Sequence, residues 1–195
     1  ETAKNLLRAF AGESQARNRY DFAANLCQKQ ELQAMAFIFQ ATAKQEQAHA
    51  KVFWDHLQAL NGQNLPIYGA YPIEGTNRIL ELLRAAQHNE HEEHGSVYPS
   101  FAAIATQEGF PEAAASFRQI AAIEQLHGER FGLLADQLES GALFVSQIET
   151  GWMCLNCGHT QNSLEAPKQC PVCNHGQGWF IRLELAPWSP VVKQT

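Results

Sequence analysis

The feature that most constrains this chain is a set of five glutamates standing where a helical core expects apolar residues. Between residues 6 and 138, apolar side chains recur every three or four positions and so share one helix face. Near the middle of those faces stand Glu13, Glu46, Glu90, Glu93 and Glu124. A buried carboxylate without a partner is strongly destabilising. We therefore predict that these side chains converge on cations inside a helical bundle.

The apolar spacing predicts four helices, over residues 6–24, 32–60, 79–104 and 114–138. Gly109 and Pro111 mark the end of the third helix and the start of the fourth. Pro99 falls inside the third pattern and predicts a kink or a restart there. The Gly- and Pro-rich segment 61–75 predicts a long connection. The expected architecture is a four-helix bundle with one long crossover.

Two of the glutamates begin Glu-x-x-His motifs, which place His49 and His127 one turn further along the same helix face. A single such motif is usually a solvated pair. Two of them on apolar faces, with carboxylates on the other two helices, match the di-iron arrangement of four-helix bundles. Oxygen-rich ligands with two imidazoles favour iron or manganese over zinc. The remaining helical histidines are expected on the surface or beside ligands: His56, His88, His91 and His94.

Charge supports a buried acidic site. Residues 1–150 contain 11 basic and 18 acidic residues, so the five glutamates account for most of the excess. Five carboxylates together with two ferrous ions have a formal charge of −1. The charge is the same with two ferric ions and an oxo bridge.

The whole chain has a net charge of −6 with scattered basic residues, which predicts no nucleic-acid binding. No apolar run is long enough to predict a membrane span.

Four late cysteines form two Cys-x-x-Cys knuckles separated by 12 residues: Cys154, Cys157, Cys170 and Cys173. This spacing predicts a four-thiolate metal site, which suits zinc or iron, and spacing alone slightly favours zinc.

The fifth cysteine, Cys27, is expected to be a free thiol. The first ten residues lack the apolar core of a signal peptide. Paired cysteines without an export signal predict a reducing, cytoplasmic location.

The composition changes near residues 141–151, from an Ala-rich helical part to a short, loop-rich remainder. That remainder is too small to be held by hydrophobic burial alone, and the thiolate site would stabilise it. We predict a helical domain over residues 1–145 and a metal-knuckle domain over residues 146–195. Trp152, Trp179 and Phe180 are expected to form an apolar jacket around the knuckles.

The chain resembles the rubrerythrin family over essentially its whole length. Residues 10–20, FAGESQARNRY, resemble the first-helix motif, and the two Glu-x-x-His motifs resemble those of the second and fourth helices. Glu90-His-Glu-Glu93, upstream of Tyr98-Pro-Ser-Phe101, resembles the third. The resemblance implies a mainly α fold, a ferritin-like four-helix bundle followed by a small rubredoxin-like domain. It also shifts the expected metal of the four cysteines from zinc to iron.

The resemblance implies a role for each residue of the site. Glu46 and Glu124 would bridge two non-haem irons. The other implied ligands are Glu13 on one iron, Glu93 or His49 as its redox-dependent alternative, and Glu90 with His127 on the second iron. Tyr20 either lines the site or belongs to the core. Tyr20 and Tyr98 are expected to assist proton movement or to gate access.

The activity implied by the resemblance is reduction of hydrogen peroxide to water, in protection against oxidative stress. Electrons would reach the di-iron site through the iron of the four-cysteine site, from an external donor such as a rubredoxin or an NAD(P)H-linked reductase. A homodimer is implied. Two other classes stay open at this point. One is ferritin-like iron oxidation and storage with a structural zinc ribbon, and the other is a structural or interaction role.

Overall fold

The computed structural model describes residues 1–185. Its helical part comprises α1 (Thr2–Lys29), α2 (Gln33–His56), α3 (Ile79–Glu92), α4 (Tyr98–Gln107) and α5 (Pro111–Glu139). α1 packs along α2, while α3 and α4 in succession pack along α5. The predicted four-helix bundle with one long crossover is confirmed, with α3 and α4 together forming its third helix. In the described part of the chain, no helix is both long and apolar enough to cross a membrane.

The third predicted helix does not restart at Pro99 but continues through a π-helical turn just before it. A π-helical turn, Glu93–Val97, joins α3 to α4, and Pro99, the second residue of α4, has no backbone N–H to donate to the residues before it. Single π-helical turns are frequent at functional sites. The second predicted helix is shorter than expected, because α2 ends at His56 and Leu60 lies in a separate 3₁₀ turn.

The connection between α1 and α2 is only three residues long. Glu31 adopts a left-handed conformation (φ 60°), and the amide of Leu32 donates to the carbonyl of Cys27 at 2.9 Å. This is the hydrogen bonding of a helix C-terminus that closes without glycine. The sequence carries no turn residue here, because the left-handed position is occupied by a glutamate.

The crossover segment (residues 57–78) lies against the outside of the bundle. The Tyr71 hydroxyl donates to the carbonyl of Arg8 at 3.0 Å, and Nε of Arg8 donates to the carbonyl of Tyr68 at 2.9 Å. Further along, Nδ2 of Asn89 donates to Oε1 of Glu74 at 2.5 Å. These contacts attach the crossover segment to α1 and α3 at several points.

The C-terminal part forms a small antiparallel sheet. Its strands are β1 (Val145–Cys154), β2 (Thr160–Glu165) and β3 (Phe180–Arg182), in the order β2-β1-β3. Trp152 and Phe180 are buried with the cysteines, and Trp179 packs on them, which is the expected apolar jacket. Residues 186–195 of the predicted second domain lie outside the described residues.

The small sheet docks on the end of the bundle where α1 turns into α2. Ile181 and Leu185 are buried in the apolar cluster that also contains Phe39 and Phe131. The rings of Phe37 and Trp179 have centroids 5.9 Å apart. A second apolar cluster, around Phe53, Tyr98 and Phe117, occupies the other end of the bundle.

Candidate metal centre

Six buried side chains from four helices converge inside the bundle: Glu13, Glu46, His49, Glu90, Glu124 and His127. They form two overlapping groups. One contains Glu13 and His49, the other contains Glu90 and His127, and Glu46 and Glu124 belong to both. Within each group the ligand atoms lie within 4.8 Å of one another. Two groups that share two carboxylates are the arrangement expected for a pair of bridged metal ions.

The shared carboxylates each present one oxygen to each imidazole. Nδ1 of His49 lies 3.0 Å from Oε2 of Glu46 and 2.9 Å from Oε1 of Glu124. Nδ1 of His127 lies 3.0 Å from Oε1 of Glu46 and 2.8 Å from Oε2 of Glu124. The two halves of the site are therefore near copies of each other, with both imidazoles presenting Nδ1 to the centre.

Several polar atoms at this centre are buried without a hydrogen-bond partner among the described residues. They are Oε2 of Glu13, Oε1 of Glu46, Oε2 of Glu90, both carboxylate oxygens of Glu124 and Nδ1 of His127. Some of these atoms lie close to one another, but not in the geometry of hydrogen bonds. They are therefore placed to bind a shared ion rather than each other. Such burial is costly unless a cation satisfies the atoms. The donor set of carboxylate oxygens and imidazole nitrogens fits iron.

Two tyrosines hold the outer carboxylates. The Tyr20 hydroxyl on α1 donates to Oε1 of Glu90 on α3, and the Tyr98 hydroxyl on α4 donates to Oε1 of Glu13 on α1. Each leaves Oε2 of its glutamate for the centre. Burial and the neighbouring carboxylates raise the pKa of both tyrosines well above the ordinary value, so each stays protonated and donating. Tyr20 therefore lines the site.

The electrostatics of the centre oppose five negative charges without a cation. Burial, and after it the neighbouring carboxylates, raise the pKa of Glu13 and Glu90 well above the usual range. Burial also opposes ionisation of Glu46, but contacts with His127 and His49 lower its pKa overall. Burial opposes the charge on His49, yet Glu124 and Glu46 raise its pKa to about 9. Metal binding would displace the protons that these shifts retain.

Glu93 stands apart from the six. It belongs to the π-helical turn, lies outside both ligand groups and lines a surface pocket beside the centre. Burial, Glu124 and Glu46 raise its pKa to about 8, while Arg19 lowers it. Its carboxylate is thus within electrostatic reach of Glu124 and Glu46. Its implied role as an alternative ligand stays a prediction.

One residue of the site was missed by the sequence interpretation. Oε1 of Gln45 lies 3.0 Å from Nε2 of His127, on the ring edge that faces away from the centre. Such a contact fixes the tautomer of a ligating imidazole. Nothing in the sequence distinguishes this glutamine from the many others on α2.

The remaining helical histidines lie outside both ligand groups. Nε2 of His56 is 2.9 Å from the Ser116 hydroxyl, and Nδ1 of His94 is 2.9 Å from the carbonyl of Ala121. His88 is exposed, and an alanine side chain at Gly128 would contact the ring of His91. His88 and His91 lie on the surface, as expected, whereas His56 and His94 are half-buried and contact groups outside the ligand set.

The four knuckle cysteines come together as predicted. Their sulfurs form one group, with Cys154 and Cys173 at 3.7 Å and Cys157 and Cys170 at 3.7 Å. Gly158 and Asn174, one after each knuckle, have positive φ of 77° and 62°. Four convergent thiolates fit one tetrahedral iron or zinc ion.

Cys27 is buried in α1 and belongs to neither metal site. Burial raises the pKa of its thiol to about 12. It is therefore a protonated, unreactive thiol at neutral pH.

The fold and site together define a ferritin-like carboxylate–histidine protein with an appended four-cysteine knuckle. Residues 4–135 match the family model described as Rubrerythrin, and residues 152–181 match the model described as Rubrerythrin, rubredoxin-like domain. The chain belongs to the rubrerythrin family.

Known proteins agree with this assignment. The chain is 44% identical over 180 residues to the rubrerythrin of Porphyromonas gingivalis, covering 92% of this chain and 88% of that protein. Nigerythrin in a mixed-valence state matches with a TM-score of 0.63 at 23% identity, covering 93% and 86% of the two chains. The bacterioferritin of Mycobacterium tuberculosis matches with a TM-score of 0.62 at 18% identity, covering 71% and 86%. The two structures bear on the fold alone.

Proposed function

We propose that this protein is a peroxidase that reduces hydrogen peroxide to water, in protection against oxidative stress. The observation that carries the proposal is the pair of ligand groups sharing Glu46 and Glu124, which supports two iron ions in one site. A pair of ferrous ions supplies together the two electrons that cleavage of one O–O bond requires. With two protons from solvent, each peroxide molecule yields two molecules of water.

The protein's own groups would hold and tune this site. Glu46 and Glu124 would bridge the irons, and Glu13 and Glu90 would complete one iron each. His127 would ligate the second iron, and His49 or Glu93 would ligate the first according to its oxidation state. Tyr98 and Tyr20 would keep the outer carboxylates oriented through their hydroxyl hydrogen bonds.

The four-cysteine site would hold iron and pass single electrons to the bundle. Cys157 is exposed while Cys154 and Cys170 are buried, so one edge of this site faces solvent. That edge suits an external donor, a rubredoxin or an NAD(P)H-linked reductase. The four cysteines can bind a metal only while they are not oxidised to disulfides. A reducing compartment such as the cytoplasm would keep them in that state.

A homodimer would add an electron path between chains to the path within one chain. Trp179 of the knuckle domain contacts Phe37, which lies nine residues before Glu46 on the same helix. Nine helical residues span about 14 Å. A head-to-tail pair of chains would bring the cysteines of one chain towards the carboxylate site of the other.

Glu46→Gln and Glu124→Gln test the proposal. Each should lower peroxide turnover by more than about 100-fold and reduce the iron bound per chain, while the red colour of the iron in the four-cysteine site persists. Glu112→Gln, at an exposed position of α5, is the matched control and should keep full turnover. Peroxidase activity retained in Glu46→Gln would contradict the proposal. Oxygen-dependent iron mineral without peroxide turnover would instead indicate iron storage.

A further inference from the structure

A surface pocket of about 270 Å³ lies beside the metal centre, between α1, the π-helical turn and the crossover segment. Its inner wall includes Glu93 and Tyr98, the tyrosine that holds Glu13. Its outer wall includes Tyr71 and Pro72 of the crossover segment. The pocket therefore reaches Tyr98, which contacts the ligand set directly through its hydrogen bond to Glu13.

The outer wall is fixed in place by side-chain contacts. The Tyr71 hydroxyl donates to the carbonyl of Arg8 at 3.0 Å. Glu74 accepts a hydrogen bond from Asn89 and lies 3.6 Å from Nε of Arg19. The wall is thus part of the folded structure, and the size of the pocket is a property of this chain.

The pocket is larger than hydrogen peroxide requires. A site for one water needs only about 10–15 Å³, and pockets for drug-sized molecules begin near about 300 Å³. A volume of about 270 Å³ fits a small organic molecule. The rings of Tyr71 and Phe101 and the side chain of Val97 offer apolar surface that a peroxide without carbon would not use.

The charges around the pocket favour a neutral molecule. Two glutamates, Glu92 and Glu93, and two arginines line it, so its formal charges balance. The two lining arginines are already paired, Arg8 with Glu1 at 2.6 Å and Arg19 with Glu74. The pocket therefore offers no surplus charge to a hydroperoxide that bears its own carboxylate, whereas a neutral hydroperoxide needs none.

We propose that this pocket is the substrate site of the enzyme and that it accepts small, neutral organic hydroperoxides as well as hydrogen peroxide. The inference rests on the proposed peroxidase function. The O–O bond of ROOH is cleaved with the same two electrons from the external donor and two protons from solvent, giving one alcohol ROH and one water. Tyr71 sets the upper size limit, because its ring forms the outer side of the pocket.

The first test compares three oxidants with the reduced, iron-loaded full chain in stopped-flow mixing: hydrogen peroxide, tert-butyl hydroperoxide and the bulkier cumene hydroperoxide. We expect tert-butyl hydroperoxide to react within about tenfold of hydrogen peroxide, and cumene hydroperoxide to react at least about 100-fold more slowly. Tyr71→Ala should raise the rate with cumene hydroperoxide relative to hydrogen peroxide by about tenfold. Tyr68→Ala, at an exposed tyrosine of the same segment, should leave the ratio unchanged.

A second test reads binding without turnover. Zinc-loaded protein is redox-inert, and NMR saturation transfer from it to tert-butanol reports occupancy of the pocket by the alcohol product. Gly12→Ala should weaken the transfer, because its new methyl would enter the pocket while meeting only Cε1 of Tyr71, at 3.6 Å.

The outcomes separate the two proposals. Reduction of hydrogen peroxide without reduction of tert-butyl hydroperoxide overturns the inference and leaves the peroxidase proposal standing. Reduction of neither oxidant overturns the peroxidase proposal, and the inference with it. A rate ratio that does not respond to Tyr71→Ala, or saturation transfer that does not respond to Gly12→Ala, contradicts this pocket as the binding site.

Discussion

Oε1 of Gln45 lies 3.0 Å from Nε2 of His127, and this contact determines which imidazole nitrogen faces the metal centre. The amide oxygen is an acceptor, so Nε2 carries the proton. Nδ1, which faces Glu46 and Glu124, is then the nitrogen available to a metal ion. A glutamine outside the ligand set would thus prepare His127 to bind a metal ion.

Replacing Gln45 should therefore weaken metal binding at the His127 half of the site. We expect Gln45→Ala to lower the affinity for ferrous iron by about 10–100-fold, because the imidazole loses its fixed orientation. Gln45→Glu keeps a hydrogen-bond acceptor at this position, so this variant should retain most of the parent protein's affinity for ferrous iron. Anaerobic titration of the metal-free protein measures the affinity.

Gln47→Ala is the control for that series, since it removes an exposed glutamine two residues further along α2. Its iron affinity should equal that of the parent protein. The same loss of affinity in both variants would show that helix stability, not the hydrogen bond to His127, is responsible.

The metal-free protein should lose stability as the pH rises from about 5 to 9. Burial, Glu124 and Glu46 raise the pKa of Glu93 from 4.5 to about 8, so its contribution is complete below pH 4.5 and disappears by about pH 8. The pKa of His49 rises from 6.5 to about 9, so its contribution disappears between those values. The lowered pKa of Glu46 acts oppositely and removes stability only in acid.

Calorimetric Tm measurements across this pH range test the linkage. The iron-loaded protein should not show the same decline, because metal binding favours the deprotonated carboxylates. A Tm of the metal-free protein that rises between pH 5 and 9 would contradict the assigned protonation of the centre.

The docking of the small sheet on the bundle should depend on Gly178. A Cβ at this position would lie 1.8 Å from the backbone carbonyl oxygen of Glu31, which no rotamer change can relieve. We expect Gly178→Ala to speed hydrogen exchange in the α1–α2 turn and to lower Tm by several degrees. A Cβ at Gly176 would have nothing within 4 Å, so Gly176→Ala should leave both unchanged. Identical exchange in the two variants would refute the contact.

Much of the site was predictable from the sequence because its side chains are acidic and the helix faces that carry them are apolar. A glutamate in the middle of an apolar helix face has no ordinary structural explanation, and six of the seven predicted ligands do converge. An irregularity of the third helix near Pro99 was likewise predictable, since proline has no N–H to donate. The cysteine knuckles follow from spacing alone.

The rest depends on contacts between segments distant in sequence. No local sequence pattern predicts the π-helical turn that carries Glu93, because this turn depends on how α3 and α4 pack on α5. Gln45 and Tyr71 acquire roles only through contacts with His127 and Arg8. The left-handed turn at Glu31 could not be predicted, because a glutamate stands where a glycine would have indicated such a turn.

The central claim is that the two metal sites work together as a peroxidase, and one stopped-flow experiment tests it most directly. Fully reduced, iron-loaded protein is mixed anaerobically with about one equivalent of hydrogen peroxide. We predict rapid appearance of the red colour of ferric iron bound by Cys154, Cys157, Cys170 and Cys173, with the peroxide consumed. Peroxide left unreacted, or consumed while the four-thiolate iron stays colourless, would contradict the account.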